Sequence, residues 1–232
     1  MNQADIKTKH CSELAHHVHQ GAAWLSVSAE GENTAALSYA AFELRLAVER
    51  LAVHYWAVLL KQSSEEKDLR DIESFKQVER RIYQLAGHQK QIDGHFAFMR
   101  IVLSTLKFDF PLHSPWIGDL SKYWHQCSEL CHIGWPLSCA VLEVRKVGFT
   151  TLTDIESSLL TQVQSLGWPI LNDAKFAELR NRFVAGEATT DDILAYVQQT
   201  GLWACVEFPN GREPQFVGVP VPPQTQSDTK LA

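Results

Sequence analysis

The stretch TAALSYAAFELRLAVERLAVHYWAVLL, residues 34–60, decides the fold class. Leu37, Ala41, Leu44, Val48, Leu51, Tyr55 and Val58 recur at spacings of three and four, the period of one helical face. Phe42, Trp56 and Leu59 widen that face beyond a single stripe. A helix with such broad apolar coverage is central and touched on several sides. Thr34 stands where an N-cap belongs, after the breaking run Gly31-Glu32-Asn33.

Working outward, the same period recurs on both sides. Ser12 is a candidate cap for a first helix through Leu14, Val18, Ala22 and Leu25 towards Ala29. Residues 63–70 are charged and read as a loop or helix start. Ile72, Phe75, Val78, Ile82 and Leu85 form another stripe, which Gly87 is expected to stop. A helix over 92–107 and an irregular connection over 108–116, with Pro111 and Pro115, come next. Asp119 is placed to cap a helix through Leu120, Trp124, Cys127 and Cys131, interrupted by Gly134 and Pro136. Residues 137–144 can resume as a helix, and 155–166 read as a further short amphipathic one that ends at Gly167-Trp168-Pro169.

Beyond this point the texture changes. Residues 173–184 predict a short helix ended by Gly186, and Thr189 or Thr190 caps another, with Asp191 and Asp192 in its first turn and Gly201 at its end. Two apolar runs, 203–208 and 215–219, flank Pro209-Asn210-Gly211-Arg212, and Asn-Gly is a strong hairpin signal. Residues 219–232 are rich in Pro, Gln, Ser and Thr and are expected to be disordered. The expectation is a mainly α protein: a helical domain over 1–166, a small α+β helix–helix–β-hairpin module over 167–218, and a tail.

Composition narrows the class of function. A net charge of −6 over 232 residues argues against a general nucleic-acid binder, which needs surplus Lys and Arg. Five cysteines at irregular spacing are not a disulfide framework and read as reduced thiols. No run is long and apolar enough for a signal peptide or a membrane span, so a cytoplasmic protein with no membrane partner is expected. Seven Trp predict a Trp-rich core, with an exposed partner-binding cluster as the other reading.

Three groups of residues could carry chemistry. His10, His16, His17 and His19 crowd the N-terminus, but no ligand set is completed, and neither metal nor cofactor is expected. Arg45–Glu49 and Arg50–His54 are i,i+4 pairs on the central helix, either a structural polar cluster or a charged site where that helix meets a neighbour. Ser128 and His132 are also i,i+4, yet a nucleophilic serine normally stands on a strained turn with an orienting third residue, and a helix-terminal His has a dipole role. The helix of 191–200 carries no Lys or Arg, which speaks against a winged-helix reader of DNA.

Tyr39-Ala40-Ala41-Phe42-Glu43-Leu44-Arg45 with Val48-Glu49-Arg50-Leu51, and Leu120 to His132 with Ser128-Glu129-Leu130-Cys131-His132, resemble helices of HEPN-like helical-bundle proteins. The resemblance covers about residues 10–145. It implies an up-and-down bundle of bacterial type, often homo-oligomeric. Many members are metal-independent ribonucleases of toxin–antitoxin or phage-defence systems, and others are binding modules without activity. Active members carry Arg followed by His after four to six residues; Arg81 to His88 is the one match here, and it straddles Gly87, while Arg50 to His54 is one residue too close. The leading expectation is therefore a non-enzymatic helical interaction or regulatory module with a protein partner. The alternative is an RNA-cleaving enzyme using Arg50, His54 and His132 as base and cation.

Overall fold

The computed structural model describes residues 3–59, 78–109, 112, 114–131, 139–165, 168–171, 175–201, 203–207, 213 and 215–218. Within them the chain is mainly α. The loop expected over 63–70, the turn at 209–212, the tail 219–232 and His132 lie outside the described residues.

Helix α1 spans Gln3–Val27, so Ser12 does not cap it. Residues 3–11 hold neither Gly nor Pro, and nothing there opposes a helix. A tight turn follows. Ala29, Glu30 and Gly31 take φ of 48°, 52° and 94°, and the buried Ser28 hydroxyl donates to Leu25 O at 2.8 Å. Gly31 is required twice over, because a Cβ there would lie 2.8 Å from Arg145 O.

Helix α2, Thr34–Leu59, is the axis of the molecule. Its cap is Asn33, one residue before the expected Thr34: Ala36 N donates to Asn33 Oδ1 at 3.1 Å. Leu37, Ala40, Ala41, Leu44, Ala47, Val48, Leu51, Ala52 and Tyr55 are all buried. The alanines let neighbours approach closely, and Gly21 of α1 does the same, since a Cβ there would lie 2.7 Å from Leu44 Cδ2. Helix α2 packs against α1 and against α3 (Val78–Leu85), α4 (Gln89–Thr105), α5 (Gly118–Cys131) and α6 (Leu142–Ser165).

Further boundaries differ from expectation, and Asp119 stands in the first turn of α5 and not before it. Gly87 is not a stop: the chain tightens into a 3₁₀ turn at Ala86–His88 and re-enters a helix at Gln89. Gly87 is not among the glycines with positive φ, the conformation that ends helices at such positions. Helix α6 is one continuous helix from Leu142, where the sequence predicted two short pieces. Gly148 and the nearby threonines dilute the periodicity. Gly148 lies under Leu130, whose Cδ2 would be 3.1 Å from an added Cβ. The hydroxyls of Thr150 and Thr153 donate to Lys146 O and Phe149 O within the helix, at 3.1 and 2.9 Å.

Helices α7 (Lys175–Ala185) and α8 (Thr190–Thr200) lie against α4. Phe98 of α4 meets Phe176 and Phe183, with ring centroids 4.8 and 5.8 Å apart. Thr189 and Asp192 form a reciprocal capping box at the start of α8, and Gly201 ends it at φ 60°. Three short segments, β1 (Trp168–Leu171), β2 (Trp203–Glu207) and β3 (Gln215–Gly218), pair antiparallel in that order; Trp168 is opposite Glu207 and Trp203 opposite Gly218.

Among the described residues the core is built from Leu, Ile, Val, Ala and Phe more than from Trp. Trp124 is buried, Trp56 packs against the core from its edge, and Trp24 and Trp116 are exposed. No helix among the described residues is long and apolar enough to cross a membrane.

Candidate functional site

The polar residues of α2 divide into two sets. Arg45 and Glu49, one turn apart, bridge α2 to α5. Arg45 Nε donates to Glu49 Oε1 at 3.1 Å, and Trp124 Nε1 donates to the same oxygen at 2.9 Å. The Arg45 guanidinium lies 4.8 Å from the centroid of the Trp124 ring, a cation–π contact. Arg45 Nη1 also reaches Cys131 Sγ at 3.9 Å. Burial presses the Arg45 pKa down, but the Cys131 bond and the Glu49 charge outweigh it and leave the pKa raised. This arrangement fixes one helix on another.

Arg50 and His54 are set differently. Arg50 is half-buried, whereas His54 is only 5% exposed and meets the Tyr55 ring edge-on at 5.1 Å. Each holds an interaction within the fold. A base acting on a polymer must reach solvent. Ser128 also has a local role: its hydroxyl donates to Trp124 O at 2.7 Å, within its own helix.

At the N-terminal end, His17 Nδ1 donates to Glu43 Oε2 at 2.7 Å and ties α1 to α2. Sequence reading missed this carboxylate because it lies 26 residues away. His16 meets His17 edge-to-face at 5.6 Å, and His19 is exposed. Among the described residues no group of three or more His, Cys, Asp or Glu is placed to hold a metal ion.

The outer face of the α1–α2 pair carries what the polar clusters lack, contiguous exposed apolar surface. Trp24 and Tyr39 meet across the two helices with ring centroids 5.0 Å apart and ring planes tilted by 40°, and both are exposed. Val27 and Phe42, each three residues further along its helix, extend the patch at 54% and 49% exposure. Sequence periodicity could not single these out, because Phe42 reads as part of a wide core face.

No family model, no curated protein and no solved structure matches the chain.

Proposed function

We propose that the chain is a non-enzymatic helical interaction module that docks through the α1–α2 outer face. The observation that carries this reading is the exposed Trp24–Tyr39 ring contact with Phe42 and Val27 beside it. Aromatic side chains exposed together are typical of interface centres, where they bury much area with little loss of rotamer freedom. The burial of His54 adds support, because it removes the imidazole that the ribonuclease alternative would use with Arg50 and His132. In this reading residues 1–166 form an up-and-down bundle and 167–218 a helix–helix–β-hairpin module. The partner is a second copy of the chain, as the HEPN-like resemblance implies, and the role is regulatory in a bacterial defence or toxin–antitoxin setting.

The test is sedimentation velocity on the full chain beside Trp24→Ser and Phe42→Ser. Both side chains are exposed, so far-ultraviolet circular dichroism should be unchanged by either substitution. We expect a concentration-dependent dimer in the parent and a shift to monomer in each variant. A dimer that survives both substitutions would move the interface elsewhere. A parent that stays monomeric at high concentration would remove self-association. Incubation with a mixed RNA pool in EDTA, beside His54→Ala, decides the enzymatic alternative: cleavage lost in the variant would reinstate it.

A further inference from the structure

A groove of about 740 Å³ opens where α4 and α7 meet the C-terminal end of α2. Gly94 allows the close approach beneath it: a Cβ there would lie 3.2 Å from Val184 Cγ2. One wall is apolar, with Trp56 and Leu59; Trp56 meets the His88 ring at 5.4 Å. Lys90, Arg180 and Arg182 also line it, as do His88 and His95. Among the described residues none of these three cations is within ion-pair distance of a carboxylate, although Arg182 acts on Asp192 at longer range. Arg180 is half-buried, and its guanidinium donates to the neutral Asn181 Oδ1 at 3.1 Å. Arg182 Nη2 donates to the backbone carbonyl of Glu187 at 3.4 Å, at the end of its own helix.

A chain of net charge −6 has carboxylates to spare, yet Arg180 loses solvent with no acid to compensate. Burial alone lowers its pKa, with no opposing charge contributing. A desolvated guanidinium of this kind costs free energy that an anion would return. Glu178 and Glu187 also line the groove, and both are exposed, as Lys90 and Arg182 are. The volume lies within the range of small-molecule sites.

We propose that this groove binds a small phosphate monoester, its phosphate held by Arg180, Lys90 and Arg182 and its apolar body against Trp56 and Leu59. The site is separate from the α1–α2 face, so it stands or falls independently of the docking reading. Arg180 is the anchor, since a guanidinium can give a phosphate two parallel hydrogen bonds. His88 adds a ring N–H donor to the lining.

The experiment is isothermal titration calorimetry of the full chain with phenyl phosphate, inorganic phosphate and phenylacetate as probes. We expect one saturable site for phenyl phosphate, weaker binding of inorganic phosphate at the same site, and phenylacetate weakest. Arg180→Gln should weaken phenyl phosphate by at least about tenfold, the equivalent of one good charge-assisted hydrogen bond. Lys90→Ala should weaken it by a few fold. Lys90 is exposed, so that variant reports even if Arg180→Gln fails to fold. Absence of saturable phenyl phosphate binding, or affinity unchanged in both variants, would overturn the site. Phenylacetate binding as tightly as phenyl phosphate would overturn the phosphate assignment.

Discussion

Cys127 and Cys139 show how far surroundings alone can separate identical side chains. Cys127 is fully buried; burial first, and then the neighbouring Cys131, push its thiol up to about 12, against the pull of Arg45. Cys139 is exposed. At pH 8 in the native protein, iodoacetamide should therefore modify Cys139 and leave Cys127 untouched until the chain is denatured. Peptide mass spectrometry reads this directly, and equal labelling rates at the two positions would contradict it. The i,i+4 spacing of Cys127 and Cys131 was legible in the sequence. The depth of one and the half-exposure of the other depended on α2 lying across α5.

At the level of elements, turns and caps carry most of the local instruction. Gly31→Ala should destabilise by at least about 1–2 kcal/mol from the left-handed backbone alone, and more because its Cβ would meet a backbone carbonyl at 2.8 Å. Gly87→Ala is the control: its φ is not positive and its Cβ meets nothing within 4 Å, so stability should hold or rise by about 0.4–1 kcal/mol. Urea denaturation of the pair gives the comparison. The cap of α8 predicts a pH effect. Backbone and side-chain hydrogen bonds from Thr189 hold the Asp192 carboxyl below its ordinary 3.8. A depressed carboxylate pKa stabilises the fold above the unfolded value, and that contribution is lost as pH falls through the folded one. Amide exchange in the first turn of α8 should thus accelerate as the pH drops below about 4, beyond the intrinsic trend. In Asp192→Asn this extra pH dependence should vanish; its persistence would assign the effect to another group.

For the whole molecule, Phe98 is the joint between the central helices and the C-terminal pair. Its ring faces Phe176 and Phe183 and is fully buried. Phe98→Ala should cost about 3–5 kcal/mol. The loss should be uneven: amides of α7 and α8 should lose exchange protection before those of α1 and α2. Uniform loss across all helices would mean that the C-terminal pair and the central bundle unfold as one unit. The same joint shapes the α4–α7 groove, so phenyl phosphate affinity should fall with it.

The mainly helical class, the central place of α2 and the breaks at Gly31, Gly186 and Gly201 were written in the sequence. Helical period and left-handed glycine turns are local codes that act within a few residues. The continuity of α6 was hidden because the stretch between its two apolar pieces, with Gly148, Thr150, Thr151 and Thr153, carries little helical periodicity although the helix runs through it. Docking decided the rest: His17 against Glu43, Glu49 beneath Trp124, and Lys90 gathered with Arg180 and Arg182 around one groove. These partners lie tens of residues apart, and no periodicity links them. They meet because the small faces of α2 and Gly94 of α4 let particular helices close on one another, and only tertiary packing selects which helices those are.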